Sequence, residues 1–511
     1  MLPVFFVGSL LRRAHSGARC FSVPMPGLAP RPITVAPFQG VNLAGAECVK
    51  ALDPEGTIGS KRKVVSRNCG IRAPFIMHAF ISLLKAFSIV SLFLALTAGI
   101  YIALNSGDLP PPDVSDLQVP YPNVPDEENA YTLYAEAAPA LDIEDEVLDA
   151  IQSDPGESFE DPQAVEELLK RFDVPLEKMA KGARRERCIF PRPDAIDTML
   201  PSVTGFLTAG QLWKAEVQVA LERGELERAE ASARNLLLFG QSVITEPETL
   251  IQYLIGNALL AYGFEAFELV VTHPKVTPET LKEMRHLLAM EDLLNEALSQ
   301  AMKAEYNFFN IAMKSLTDMP EQEFGSDVIF DHVFARFFPG FFLKPNATRA
   351  VFAEYFRTSV SNVGKPYSDM TFGQAEQILS EVEHVRRFPP PPNFGGILLM
   401  RILLPAVDGV LLRYSELLGH SRALKTLIAL RLYEKEHEEL PSTLSGLLPG
   451  FLQEVPRDPF DGQPLRYDPE RRIVWSVGED LIDQNGSTVQ REGTRRDERR
   501  NQEDLVWEMG W

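Results

Sequence analysis

From Ala86 to Leu104 the chain reads AFSIVSLFLALTAGIYIAL, 19 residues without a charge. As a helix this run is about 28 Å long, close to the thickness of a bilayer's hydrocarbon core. Lys85 stands at its near end, where a long side chain can reach back to the headgroups. Lys61, Arg62, Lys63, Arg67 and Arg72 precede it, and Asp108, Asp113 and Asp116 follow it. That asymmetry keeps the N-terminus cytoplasmic and exports everything after about Asn105. Ala103-Leu104-Asn105 lacks the small-x-small pattern of a signal-peptidase site, so the segment is expected to be retained. The expectation is a single-pass transmembrane anchor at 77–105, touching membrane through 86–104. The location expected is a cell inner membrane, with the bulk of the chain periplasmic.

Two readings compete for the basic leader, residues 1–76. MLPVFFVGSLLRRAHSGARCFS is Arg-bearing and free of acids until Glu47, as a mitochondrial transit peptide would be, which makes a mitochondrial membrane the alternative location. The favoured reading places the true start at Met77, directly before the anchor, and leaves the leader disordered or outside the protein. Beyond the anchor the chain is strongly acidic. A net charge of -21 argues against nucleic acid, which needs clustered Lys and Arg. Cys20, Cys48 and Cys69 precede the anchor, and Cys188 alone lies beyond it. A lone thiol forms no internal disulfide, and Cys188, beside Ile189 and Phe190, reads as a small buried hydrophobe.

The exported part is expected to be mainly α. Residues 106–128 are rich in Pro and Asp and read as an extended linker. A helical domain follows over 129–388. Its clearest unit, LWKAEVQVALERGELERAEASARNLLLFGQSV, places Leu212, Ala215, Val219 and Ala220 on one stripe. Gly224 breaks the chain, and Leu226, Ala229, Ala233 and Leu237 form the next stripe. This looks like one tetratricopeptide-type helical hairpin. No clear 34-residue recurrence follows, so the domain is read as irregular. Further helices are expected at Pro278–Ala289, Leu293–Ser315, Ala347–Val360 and Phe372–Arg387. Phe334, Phe337, Phe338, Phe341 and Phe342 read as core aromatics, with a ligand groove as the alternative. A Pro-rich linker at 389–395 precedes apolar helices over 396–440, and a small β module with a charged tail occupies 441–511. Leu505 to Met509 is expected to return as a last strand.

Three Glu-x-x-His pairs occur, Glu283/His286, Glu381/His384 and Glu434/His437. Positions three apart share a helix face, and carboxylate-bridged di-iron bundles use two such pairs. Against that stands chance in a Glu-rich helical chain, and neither the segment around His286 nor that around His437 looks polar on a buried face. Gly-x-Ser-x-Gly, Walker A, His-Glu-x-x-His and Gly-x-Gly-x-x-Gly are all missing from the sequence. No catalytic or cofactor-binding residue is therefore assigned.

The most defined module lies from Leu424 to Gly486. An apolar helix ends at Leu440-Pro441, and Leu444, Leu447 and Leu448 pack a short turn. Pro456-Arg457-Asp458-Pro459 makes a rigid corner, and Asp461-Gly462 supplies a tight turn. Leu465-Arg466-Tyr467 and Ile473-Val474-Trp475-Ser476 alternate as paired strands. In these residues the chain resembles the globular end of the major pseudopilins of type II secretion systems. The matching steps are Leu440-Pro441, the corner from Val455 to Pro464, and Ser476-Val477-Gly478-Glu479-Asp480. The resemblance implies a long helix leading into a small sheet, and a calcium-binding loop at Ser476, Asp480 and Asp483. It covers about an eighth of the chain. The anchor opens Phe80-Ile81-Ser82-Leu83-Leu84, without the Gly and Glu of the pseudopilin peptidase site, so the resemblance bears on fold and not on pilus assembly. The full layout is similar to bacterial membrane-anchored proteins of uncharacterised role that end in this module. The functional expectation is a non-enzymatic, membrane-anchored envelope scaffold with protein partners. The alternatives are a secretion-machinery-associated subunit and a metal-dependent enzyme using the Glu-x-x-His helices.

Overall fold

The computed structural model describes residues 73–143, 151, 159, 161–195, 203–318, 339–371, 392–487 and 504–511. Most of the leader, the helix expected at Phe372–Arg387, Phe334, Phe337, Phe338 and the charged run before Asp504 lie outside the described residues.

The first helix, α1 (Ala73–Leu104), is apolar all round. Its few hydroxyls fold back on its own backbone: Ser88 Oγ donates to Leu84 O at 2.8 Å and Thr97 Oγ1 to Phe93 O at 3.0 Å. From Ala86 to Leu104 the helix carries no charge, and most of its side chains are bare: Leu92 and Phe87 are each 71% exposed. A second helix, Leu250–Thr272, is also long and apolar enough to cross a membrane by length and composition. The two differ in burial. Only 6% of the most apolar window of Phe80–Leu104 is covered by protein, against 61% for Leu250–Thr272. The second is a core helix; the first is almost uncovered among the described residues.

The chain divides at Ile100 into two compact units, and everything from Tyr101 onward belongs to one of them. Residues 106–114 have no regular structure and Ser115–Leu117 form a 3-10 turn, but the segment is not a free spacer. Asp108 accepts from the backbone of Asn346 at 2.8 Å and of Ala347 at 3.0 Å, and Asn346 Nδ2 donates to Leu109 O at 2.8 Å. Arg357 then grips Asp116 through two nitrogens at 2.7 and 2.8 Å and reaches Asp113 O. Leu117 ends the strap in the core, 1% exposed.

The helical body begins with α2 (Ala130–Ala137), capped by the Asn129 side chain. α3 (Pro162–Arg171) is capped by Asp161, with Pro162 at its first position, and α4 (Asp173–Gly182) follows. The hairpin read from the sequence is α5 (Val203–Glu222) and α6 (Leu226–Ile244), joined at Gly224 with φ 74°. Of the expected stripes, Leu212, Ala215, Val219, Ala220, Ala229, Ala233 and Leu237 are buried and Leu226 is half-buried. α7 (Leu250–Thr272) packs along α6 with its backbone close. A Cβ on Gly256 would stand 2.6 Å from Ile244 Cβ, and one on Gly240 would stand 2.9 Å from Leu260 N. α8 (Pro278–Leu287), α9 (Glu291–Asp318) and α10 (Pro345–Ser361) complete the layer.

The segment expected as separate apolar helices over 396–440 is instead one 44-residue helix, α11 (Phe394–His437), running through Pro405. A proline removes one backbone bond and strains one turn. The rest of α11 is held by burial, with Leu404, Leu411, Tyr414, Leu424, Ile428 and Leu430 at 0–1% exposure. Packing outweighs the local break. After α11, β1 (Arg466–Asp468) and β2 (Ile473–Ser476) pair antiparallel, and β3 (Leu505–Glu508) pairs antiparallel with β2, in the order β1-β2-β3. This sheet is fused to the helices. Tyr367 and Ser368, after α10, donate to Pro459 O and Phe460 O at 2.8 and 2.9 Å. Arg285 of α8 donates to Phe451 O at 2.8 Å.

Candidate functional site

The C-terminal module is organised around Asp458, whose side chain is fully buried. The Pro456-to-Pro459 corner places it there: Asp458 N donates to Gln463 O at 2.6 Å, and Gly462 N returns to Asp458 O at 2.9 Å. Gly462 takes φ 72° to make that turn. Four donors meet the carboxylate: Phe460 N at 2.9 Å, Ser476 Oγ at 2.8 Å, Val477 N at 3.0 Å and Arg466 Nη1 at 2.6 Å. Burial pushes its pKa above the ordinary value, and the hydrogen bonds from Phe460, Val477 and Ser476 work against that shift.

Arg466, at the start of β1, joins three carboxylates. Besides Asp458 it holds Asp461 at two points, and its Nε lies 3.4 Å from Asp483 Oδ2. Burial alone would raise Asp461 and Asp483; the hydrogen bonds each accepts, Arg466 among the donors, bring both below the usual carboxylate value. Asp483 also accepts from Trp475 Nε1 at 3.0 Å and from Asn485 N at 2.9 Å.

The three residues expected to bind calcium are therefore dispersed among other bonds. Ser476 donates its hydroxyl to Asp458. Asp480 accepts from Ile482 N at 3.0 Å and Gln484 Nε2 at 2.9 Å. Asp483 faces Trp475 and Arg466. A carboxylate not singled out in the sequence, Asp504 just before β3, meets the loop from outside: it accepts from Gly486 N at 2.7 Å and Gln484 N at 3.3 Å. Burial first, and then the nearby charges of Asp483 and Asp480, push Asp504 upward. Among the described residues, no group of three or more His, Cys, Asp and Glu side chains is arranged to hold a metal ion.

The Glu-x-x-His pairs are engaged elsewhere. Glu283 lies 2.7 Å from Arg234, and His286 is exposed. Glu434 accepts from Arg472 at 2.8 Å, from Arg431 at 3.2 Å and from the indole of Trp511. His437 is also exposed; its Nδ1 lies 3.0 Å from Tyr433 O, and its ring stacks on Tyr433 at 4.0 Å. Glu381 and His384 lie outside the described residues. Phe341 is a core residue, 1% exposed, and Phe342 faces Phe394 with ring centroids 5.9 Å apart. Cys188 is buried, and burial pushes its thiol up to about 12, so it stays protonated at neutral pH.

Asp458 and Arg466 were not singled out because buried ion pairs leave no periodic trace in a sequence. The signal present was the Pro-Asp-Pro corner with an Arg opening the next strand. Comparisons with protein-family models, curated proteins and solved structures return no match to this chain.

Proposed function

We propose that this protein is a non-enzymatic, single-pass membrane-anchored scaffold, with its helical body and pseudopilin-like C-terminal module on the exported side. The observation that carries the reading is α1: a long, charge-poor helix whose apolar surface is bare, next to a body that buries its own apolar helix α7. A lipid bilayer is the environment such a surface requires. The charge step from Lys61–Arg72 to Asp108–Asp116 supports export of the body. The conspicuous polar constellations of the body support a scaffold, because Glu283, Glu434, Ser476 and Asp483 are engaged in joining one element to another. The tetratricopeptide-like character of α5–α6 fits a protein-binding role.

Metal analysis of the purified full chain tests this reading. The expected result is no stoichiometric iron. Two irons per chain, lost on His384→Ala and His437→Ala together, would establish the enzyme reading instead.

Calcium at the Ser476–Asp483 loop is a second reading, favoured by the crowding of Asp480, Asp483 and Asp504. A hard cation relieves such repulsion and accepts carboxylate and carbonyl oxygens alike. Since Trp475 donates to Asp483, a calcium titration that leaves Trp475 fluorescence unchanged counts against it.

A further inference from the structure

Beyond Leu117 the chain lies beside α9 and leaves a groove between the two. One wall is residues 118–120; the other is the face of α9 that carries Asn295, Glu296, Ser299, Gln300 and Lys303. The groove holds about 440 Å3 and is open to solvent. That volume falls in the range of ligand sites, about 300–1,000 Å3. Its first wall is anchored: Val119 is buried, and its carbonyl accepts from Arg192 Nη1 at 3.0 Å.

α9 already holds one irregular segment of this chain by its side chains. Asn307 Nδ2 donates to Leu117 O at 3.4 Å, where the strap ends and the backbone turns extended at Gln118. Asn295, Ser299 and Lys303 continue the same i+4 ridge toward the start of the helix, in steps of about 6 Å. Backbone groups on one side of an extended chain recur every two residues, about 6.6 Å. The ridge therefore repeats at nearly the spacing of a peptide backbone. Its remaining hydrogen-bonding capacity also matches one. Asn295 Oδ1 is taken by the Tyr414 hydroxyl, which leaves Nδ2 to donate. Gln300 Nε2 donates to Pro247 O at 3.5 Å, which leaves Oε1 to accept. Ser299 can do either.

Two charges flank these amides. Glu296 is exposed and Lys303 half-buried, and among the described residues neither is in an ion pair. Asp116 feels the Lys303 charge, but its own ion pair is with Arg357. At positions i and i+7, Glu296 and Lys303 lie on one line, about 10.5 Å apart along the helix axis. Three extended residues span about 10 Å.

We propose that this groove binds an extended peptide from a protein partner. Asn295, Ser299 and Gln300 hold its backbone, Lys303 meets an acidic side chain, and Glu296 meets a basic one three positions away. The strap fixes the class of occupant, because it is an extended backbone that the neighbouring member of the same ridge already grips. The groove lies wholly within the body, so it needs neither a membrane around α1 nor the scaffold reading.

Selection of a displayed random octapeptide library on the full chain in detergent micelles tests the proposal, with binding of the selected peptides measured by fluorescence anisotropy. The unaltered chain is expected to select peptides with an acidic and a basic residue three positions apart. Lys303→Glu is expected to weaken those peptides several-fold and to select two basic residues at that spacing instead. Glu296→Lys is expected to select two acidic ones. Neither side chain is buried, so both exchanges leave the core intact. Ser299→Trp, which fills the groove, is expected to abolish binding. Selected peptides that bind Ser299→Trp as tightly as the unaltered chain sit elsewhere and overturn the proposal. Selected sequences whose charges ignore both exchanges overturn it too, as does a library that yields no binder.

Discussion

At the scale of single residues, this protein uses buried carboxylates to tie segments together, and each does so in its own electrostatic setting. Asp458 is surrounded by four donors, one of them a guanidinium. Glu305, on α9, has much less: its carboxylate accepts from Leu250 N at 3.3 Å at the start of α7, and burial pushes it up to about 7. Its ordinary value is 4.5, so the folded chain holds a proton there that the unfolded chain has lost. Stability from this group is therefore complete below about pH 4.5 and is lost as pH rises through 7, at up to about 1.4 kcal/mol per pH unit. Thermal unfolding of the full chain between pH 4.5 and 8 should show this slope flattened in Glu305→Gln. Parallel profiles for the two chains would remove Glu305 from the account.

At the scale of elements, small residues decide how closely helices cross. Gly240 and Gly256 let α6 and α7 approach until backbone meets side chain, and Gly256 has Ile244 backbone atoms within 2.8 Å of where a Cβ would stand. Backbone cannot swing aside as a flexible side chain can. Gly256→Ala is expected to cost about 1–3 kcal/mol by overpacking, seen as a lower melting temperature. Gly450→Ala, whose methyl meets nothing within 4 Å, serves as the comparison and should change little. Equal melting temperatures for the two variants would show that the crossing relaxes at no cost. The α5–α6 stripes were legible in the sequence because period 3.6 and burial coincide there. The continuity of α11 was not: Pro405 is a local signal to stop, and the partners that override it come from distant parts of the chain.

At the scale of the whole molecule, the strap from Ser106 to Leu117 sets where the body starts after the apolar helix. Asp108 caps α10 from some 240 residues away in sequence, accepting from Asn346 and Ala347. α10 has no side-chain cap of its own at Lys344, so Asp108 fills a place that local sequence leaves open. Asp108→Ala is expected to cost about 1 kcal/mol and to speed amide hydrogen exchange at Asn346 and Ala347. Unchanged exchange there would mean the strap does not hold the helix. The grip of Arg357 on Asp116 is exposed, so it contributes register more than stability, although the Arg357 hydrogen bonds hold the Asp116 carboxyl down at about 2.

The sequence alone determined the existence of one bare apolar helix, the helical character of the body, the α5–α6 hairpin and the three strands of the terminal sheet. Each of these is encoded by composition or by a short period, which neighbouring residues carry by themselves. Tertiary structure decided the rest: that Leu250–Thr272 is core, that the Pro-rich segment is a strap, that α11 runs unbroken, and that Asp458 rather than the Ser476–Asp483 loop is the polar centre of the module. Those outcomes depend on pairs of residues tens to hundreds of positions apart. Contact at that range is set by packing and by the satisfaction of buried charge, and neither leaves a mark on the local sequence.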